Sequence, residues 1–101
     1  MPFVRVASIS ELKTGSVVEV HVDGTPYALC NVKGEILALG GVCPHRGGAL
    51  GQGLIRADRV QCPWHAWEFD CRTGASDRDP SKSVPSVPVK LEGNDILIEV
   101  P

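Results

Sequence analysis

A chain of 101 residues with 43% hydrophobic content suffices for one domain around one core, burying about two thirds of the surface its unfolded chain exposes. Ten Lys and Arg against twelve Asp and Glu give a net charge of −2. No concentrated positive charge matches a phosphate backbone or an anionic lipid surface, so neither nucleic acid nor membrane is expected as a partner.

In chain order, Met1-Pro2-Phe3-Val4-Arg5-Val6 puts a charge where the apolar stretch of an export signal would build, so no leader is expected. Ser8-Ile9-Ser10-Glu11 has the spacing of a capping box and predicts a short helical turn over residues 9–13, closed by Gly15. Ser16 to Val22 alternates, with Val18, Val20 and Val22 on one face and Val17, Glu19 and His21 on the other, the period of a half-buried strand. Asp23-Gly24 turns the chain. Tyr27 to Val32 and Glu35 to Leu39 are two further apolar runs, and Lys33-Gly34 between them is a hairpin signal. At the far end, Val87 to Leu91 and Ile96 to Val100 flank Glu92-Gly93-Asn94-Asp95, again strand, turn, strand. Short strands at this spacing predict an all-β, small antiparallel sandwich or barrel, with residues 1–101 as a single domain. The longest uncharged apolar stretch, Ile36 to Pro44, has nine residues and two glycines, against about 20 for a membrane-spanning helix.

Two stretches break the rhythm. Gly40 to Gly53 holds six glycines and a proline, and Asp70 to Pro88 is polar and Pro-bearing. Both read as long loops, and loops of this length without regular structure are usually functional or disordered. The first carries Cys43-Pro44-His45, and Cys62-Pro63-Trp64-His65 follows after sixteen intervening residues. A spacer of one or two residues lets both side chains of a pair point into the same small volume. Two thiolates and two imidazoles meeting there fit either a tetrahedral zinc or a two-iron, two-sulfide cluster. Four cysteines in 101 residues fall below the roughly 8–10% of a disulfide scaffold, consistent with thiols or metal ligands in a reducing cytoplasm.

GVCPHRGGALGQG and QCPWHAWEFDCRTG resemble the two ligand loops of the Rieske iron–sulfur family, and the flanking hairpins, VPVKLEGNDILIEV among them, are similar to the rest of a stand-alone Rieske domain. The resemblance implies one [2Fe-2S] cluster per chain, held by a subdomain of two loops at the tip of the β domain. Cys43 and Cys62 would hold the inner iron and His45 and His65 the outer, partly exposed one. A zinc knuckle with the same four ligands lacks paired C-x-x-C spacing and leaves the glycines and aromatics around them unexplained. Gly47, Gly48, Gly51 and Gly53 are expected where backbone N–H groups approach the cluster closely. Trp64, Trp67 and Phe69 are expected both to pack the core and to shield the cluster. Cys30 shares strand parity with Ala28 and Val32 and, like Cys71, reads as a buried small hydrophobe. His21 reads as a surface strand residue.

The family's high-potential members carry a disulfide between the loops and two hydroxyl donors to the cluster; Gly48, Trp64, Trp67 and Phe69 occupy those positions here. The resemblance therefore implies a potential near roughly −150 mV instead of roughly +300 mV. With the cluster supplied, only His21 remains, too few for the mononuclear iron site of the family's oxygenases, and no flavin or nicotinamide motif is present. No catalytic residue is assigned. The expected role is a one-electron carrier, a non-enzymatic component passing electrons from an NAD(P)H-dependent flavin reductase to a terminal oxygenase. The alternative is a small Rieske-type subunit beside the large subunit of a nitrite reductase-like complex. A cytoplasmic monomer is expected, with Arg46 and the segment Ser81 to Val87 as candidate partner contacts.

Overall fold

A computed structural model describes residues 2–44, 47–64, 66–79 and 81–100. Among the described residues there are ten strands: β1 (Phe3–Ser8), β2 (Val17–Val22), β3 (Thr25–Val32), β4 (Glu35–Gly40), β5 (Leu54–Arg56), β6 (Arg59–Gln61), β7 (Glu68–Asp70), β8 (Ser86–Val87), β9 (Val89–Glu92) and β10 (Asp95–Glu99). Short 3-10 turns cover Ile9–Glu11 and Leu50–Gln52. All strand pairs are antiparallel, in three sheets ordered β1-β10-β9, β2-β3-β4-β8 and β5-β6-β7. The all-β expectation holds.

The middle sheet explains the architecture. Along β3, Ala28, Cys30 and Val32 pack into one hydrophobic cluster with Leu39, Val60 and Phe69. The intervening Tyr27 and Leu29 pack into a second with Ile36, Ala38, Ile96 and Ile98. Successive side chains of a strand point to opposite faces, so a strand covered on both sides must be apolar at nearly every position, as Tyr27 to Val32 is. One core was expected; there are two, one on each side of this sheet. The sheet β1-β10-β9 closes one and the small sheet β5-β6-β7 closes the other.

Turn chemistry sets the registers. Two-residue loops join β2 to β3 through Asp23 (φ 50°) and Gly24 (φ 81°), and β3 to β4 through Lys33 (φ 54°) and Gly34 (φ 91°). Two successive positive φ values are the signature of the hairpin turn that matches strand twist. Asn31, a buried polar residue, donates from Nδ2 to the Leu12 carbonyl at 2.9 Å and accepts at Oδ1 from Gly34 N–H at 2.8 Å. It ties the segment after the first 3-10 turn to that hairpin.

The capping box forms, with Ser8 N–H donating to the Glu11 carboxylate at 2.7 Å, but the helical turn spans only residues 9–11 and Leu12 is already extended. The strand read over Val87 to Leu91 is interrupted at Pro88: β8 pairs with β4 in the middle sheet, whereas β9 pairs with β10 in the outer one. Proline has no N–H to donate to a ladder, and here the chain changes sheets. Strand β1 and the three-residue strands β5, β6 and β7 were not foreseen. Among the described residues no helix is long and apolar enough to cross a membrane.

Candidate metal centre

Cys43 opens a tight loop. Its N–H donates to the Gly48 carbonyl at 2.8 Å, its carbonyl accepts from Gly47 N–H at 2.8 Å, and Val42 and Ala49 form a bridge outside it. Cys62 opens the second loop, its N–H donating to the Trp67 carbonyl at 2.7 Å. Ala66 inside that loop is left-handed at φ 61°, a conformation that costs an alanine roughly 1–2 kcal/mol. The two loops bring the Cys43 and Cys62 thiols close together in one hydrophobic cluster. Both cysteines are buried.

Burial pushes the Cys62 thiol up to about 11, a hydrogen bond from the Trp64 backbone works the other way, and the Cys43 thiol beside it raises it further. Two buried thiols facing each other form thiolates readily only against a compensating cation, which a bound metal supplies. That donor pair, already carrying one backbone N–H directed at sulfur, fits soft metal ligation as in iron–sulfur or zinc sites. His45 and His65, the other two expected ligands, and Arg46 lie outside the described residues. Among the described residues no three His, Cys, Asp or Glu side chains converge.

Gly48 is where close approach to sulfur is required: a Cβ there would sit 2.8 Å from the Cys62 Sγ and 3.2 Å from the Trp64 ring. At Gly51 and Gly53 the close approach is to the chain itself. A Cβ on them would lie 2.4 Å from the Cβ of Glu19 and 1.9 Å from the Gln61 carbonyl oxygen, so they let the first loop press against β2 and β6. Glu19 adds a polar tie that sequence reasoning missed, accepting from Gln52 Nε2 at 3.2 Å and pairing with His21 Nε2 at 3.0 Å. His21 itself is exposed, as expected of a surface strand residue. Its alternation with Glu19 was visible in the sequence; the loop that Glu19 reaches was not.

The aromatics divide. Phe69 is fully buried and Trp67 packs against the same cluster, but Trp64 is 53% exposed. With Val42 (51%) and Leu54 (65%), Trp64 adds to the apolar surface that the two loops and β5 expose. Leu54, Pro63 and Ala66 also line a cavity of about 260 Å³ that reaches Cys62. Of the segment expected to contact a partner, Ser81 to Ser83 are exposed. Val84 is buried, and Ser86 and Val87 are paired with β4. Cys30 and Cys71 are buried as expected, and their thiols touch each other.

The sequence profile of the Rieske [2Fe-2S] domain matches residues 2–88. The ferredoxin component of a naphthalene 1,2-dioxygenase system of Pseudomonas aeruginosa is 30% identical over 99 residues, covering 97% of this chain and 95% of that protein. Among solved structures, the ferredoxin of carbazole 1,9a-dioxygenase from Nocardioides aromaticivorans IC177 superposes with a TM-score of 0.90 at 29% identity, covering all of both chains. A Mycobacterium tuberculosis protein described as the small subunit of an NADH-dependent nitrite reductase superposes with a TM-score of 0.88 at 26% identity, covering 99% of this chain and 96% of that one.

Proposed function

The chain belongs to the Rieske [2Fe-2S] domain family, and from that premise we propose that it is the one-electron carrier of a multicomponent oxygenase system, not itself an enzyme. Cys43, His45, Cys62 and His65 hold the family's [2Fe-2S] cluster in this reading, as a single Rieske domain over residues 1–101. The observation that carries it is the meeting of the Cys43 and Cys62 thiols, from two loops, beneath the glycine contact of Gly48. When bound, a [2Fe-2S] cluster with two histidine ligands accepts and returns one electron at a higher potential than an all-cysteine one.

The chain's own residues bind, orient and shield. Cys43 and Cys62 supply buried anionic sulfur, the Trp64 backbone hydrogen bond offsets part of the charge on Cys62, and Phe69 with Trp67 keeps water from the inner side. Neither Trp67 nor Phe69 carries a hydroxyl, which supports a potential at the low end of the family's range, about −150 mV. The exposed Val42, Trp64 and Leu54 suit the small, transient interface of a redox encounter, under about 1,200 Å². The donor in this reading is a flavin-dependent reductase and the acceptor a terminal oxygenase, in the cytoplasm, with the chain monomeric.

The likeness to a nitrite reductase small subunit favours one second reading, an accessory subunit of such a complex. Voltammetry on anaerobically purified protein, together with iron and sulfide analysis, tests the first. Two irons, two sulfides and a reversible one-electron wave near the low end are expected; zinc without sulfide overturns it. Stable association with a large sirohaem-bearing subunit, in place of rapid turnover with an oxygenase, would move the assignment to the second reading.

A further inference from the structure

The four cysteines sort into two contacting pairs, and the proposed cluster uses only Cys43 and Cys62. We propose that the other pair, Cys30 and Cys71, is an oxidisable dithiol: a modification site for a small hydroperoxide, whose closure to a disulfide encloses both ligand loops in one covalent ring.

The geometry carries it. Cys30 comes from β3 of the middle sheet and Cys71 directly follows β7 of the small sheet. Their thiols lie close enough to perturb each other. Both are free thiols in the same hydrophobic cluster. In sequence they bracket residues 43, 45, 62 and 65, so a bond between them ties off the whole ligand-bearing segment. They differ in access. Cys71 lines a cavity of about 370 Å³ with Arg72, Ser86 and Val87 at the molecular surface, and Cys30 does not. The Cys30 thiol also holds Cys71 below the usual thiol value; burial and the charges of Asp70 and Asp58 oppose this, and Arg72 assists it. Cys71 is thus the attacking sulfur and Cys30 the resolving one.

The step balances. The Cys71 thiolate attacks the terminal oxygen of the hydroperoxide, the O–O bond breaks, an alcohol or water leaves with a proton, and Cys71 becomes a sulfenic acid. Cys30 then attacks that sulfur, the S–S bond forms, the S–O bond breaks and water leaves. Two thiols have lost two electrons and two protons, and one hydroperoxide has been reduced. Because cross-linking removes freedom from the unfolded segment, the ring restrains the ligand loops from separating when iron departs.

Cluster-loaded protein is titrated anaerobically with hydrogen peroxide, and visible absorption is followed alongside thiol alkylation and peptide mapping. The expected result is a Cys30–Cys71 linked peptide at peroxide doses that leave the cluster absorption unchanged. Iron release to a chelator should then be roughly tenfold slower than from the dithiol form, and restored by a reductant. Cys30→Ser, which keeps a donor beside Cys71 but cannot form the disulfide, should stop the reaction at a Cys71 sulfenic acid, trapped by dimedone, with the cluster spectrum intact. If Cys30 and Cys71 stay alkylatable until the cluster bleaches, or the first link to appear joins Cys43 to Cys62, the proposal is overturned. The mapping of the unmodified sequence decides this even if the Cys30 variant does not fold.

Discussion

The two hydrophobic clusters share β3 and β4, yet they are built differently. On one side, Leu12, Leu29, Ile36, Ile96 and Ile98 pack beneath strands of four to eight residues, and no cysteine contributes. On the other, all four cysteines pack with Phe69, Leu50 and Val60 beneath three strands of three residues each. The first side draws its order from long ladders and continuous apolar alternation. The second has ladders too short for that, and is held by close approaches at Gly48, Gly51 and Gly53, by left-handed residues at Ala57 and Ala66, and, in the proposed reading, by the metal that Cys43 and Cys62 would ligate. On the proposed function, the first side is expected to act as a platform and the second to depend on its metal.

Removing the metal is the harshest way to break that comparison. A site whose ligands come from separate loops returns its binding free energy as local stability. Chelation should therefore raise amide exchange across residues 47–79 by roughly two orders of magnitude, about 3 kcal/mol of lost local stability, while the β1-β10-β9 sheet changes little. Exchange rising equally in both regions would mean that the two sides form one cooperative unit.

Matched core truncations come next in size. Phe69 and Ile98 are both fully buried, and Phe69→Ala should cost about 3–5 kcal/mol and Ile98→Ala about 2–5 kcal/mol. The comparison sharpens in where the loss appears. Phe69→Ala should lower cluster content in purified protein, whereas Ile98→Ala should lower the thermal midpoint while the remaining folded protein keeps a full cluster complement. Equal cluster loss in both variants would erase the distinction.

The same contrast governs what could be read from the sequence. The hairpins at Asp23-Gly24, Lys33-Gly34 and Gly93-Asn94 were legible because a turn signal and two alternating runs coincide there, and the Ser8 and Glu11 spacing marked the first 3-10 turn. The motifs CPH and CPWH pointed to the proposed ligand loops for a reason independent of fold: thiol and imidazole at fixed spacing. Strands β5 to β7 were invisible because three residues are too few to show a period. The strand over Phe3 to Ser8 was overlooked although Val4 and Val6 alternate with Phe3 and Arg5; its bulge between Arg5 and Ala7 breaks the pattern. Parity placed Cys30 inside but could not name what it faces, since a strand's period fixes a side and not a partner. The exposure of Trp64 escaped for the converse reason: an aromatic in a loop has no period to assign it a face.

A smaller test addresses the left-handed residues. Glycine adopts positive φ without the Cβ clash that burdens alanine. Part of that relief is offset by the greater freedom glycine has when unfolded. Ala66→Gly should raise stability by about 0.5–1 kcal/mol, read as a higher thermal midpoint with an unchanged cluster spectrum. A loss of stability would show that the Ala66 methyl makes a contact worth more than the strain it imposes.

The smallest effect concerns a polar link between the two regions. Arg72, next to Cys71 on the metal side, pairs with Glu35 at the start of β4, Nη2 to Oε1 at 2.5 Å. The hydrogen bond from Arg72 holds the Glu35 carboxyl below its usual 4.5, with partial desolvation opposing it. A carboxylate whose pKa is lowered by folding stabilises the fold above its unfolded value, and that contribution is lost as pH falls through the lower folded value. Both side chains are about half exposed, at 52% and 48%, so solvent screening keeps the contribution small. Arg72→Gln should return Glu35 toward the ordinary carboxylate range in an NMR titration. It should lower the thermal midpoint slightly at neutral pH, and the two proteins should converge once the medium is acid enough to protonate Glu35 in both. A Glu35 titration that does not move would mean that the ion pair contributes nothing to joining the platform to the metal side, leaving that task to β3, β4 and the sulfur pair between them.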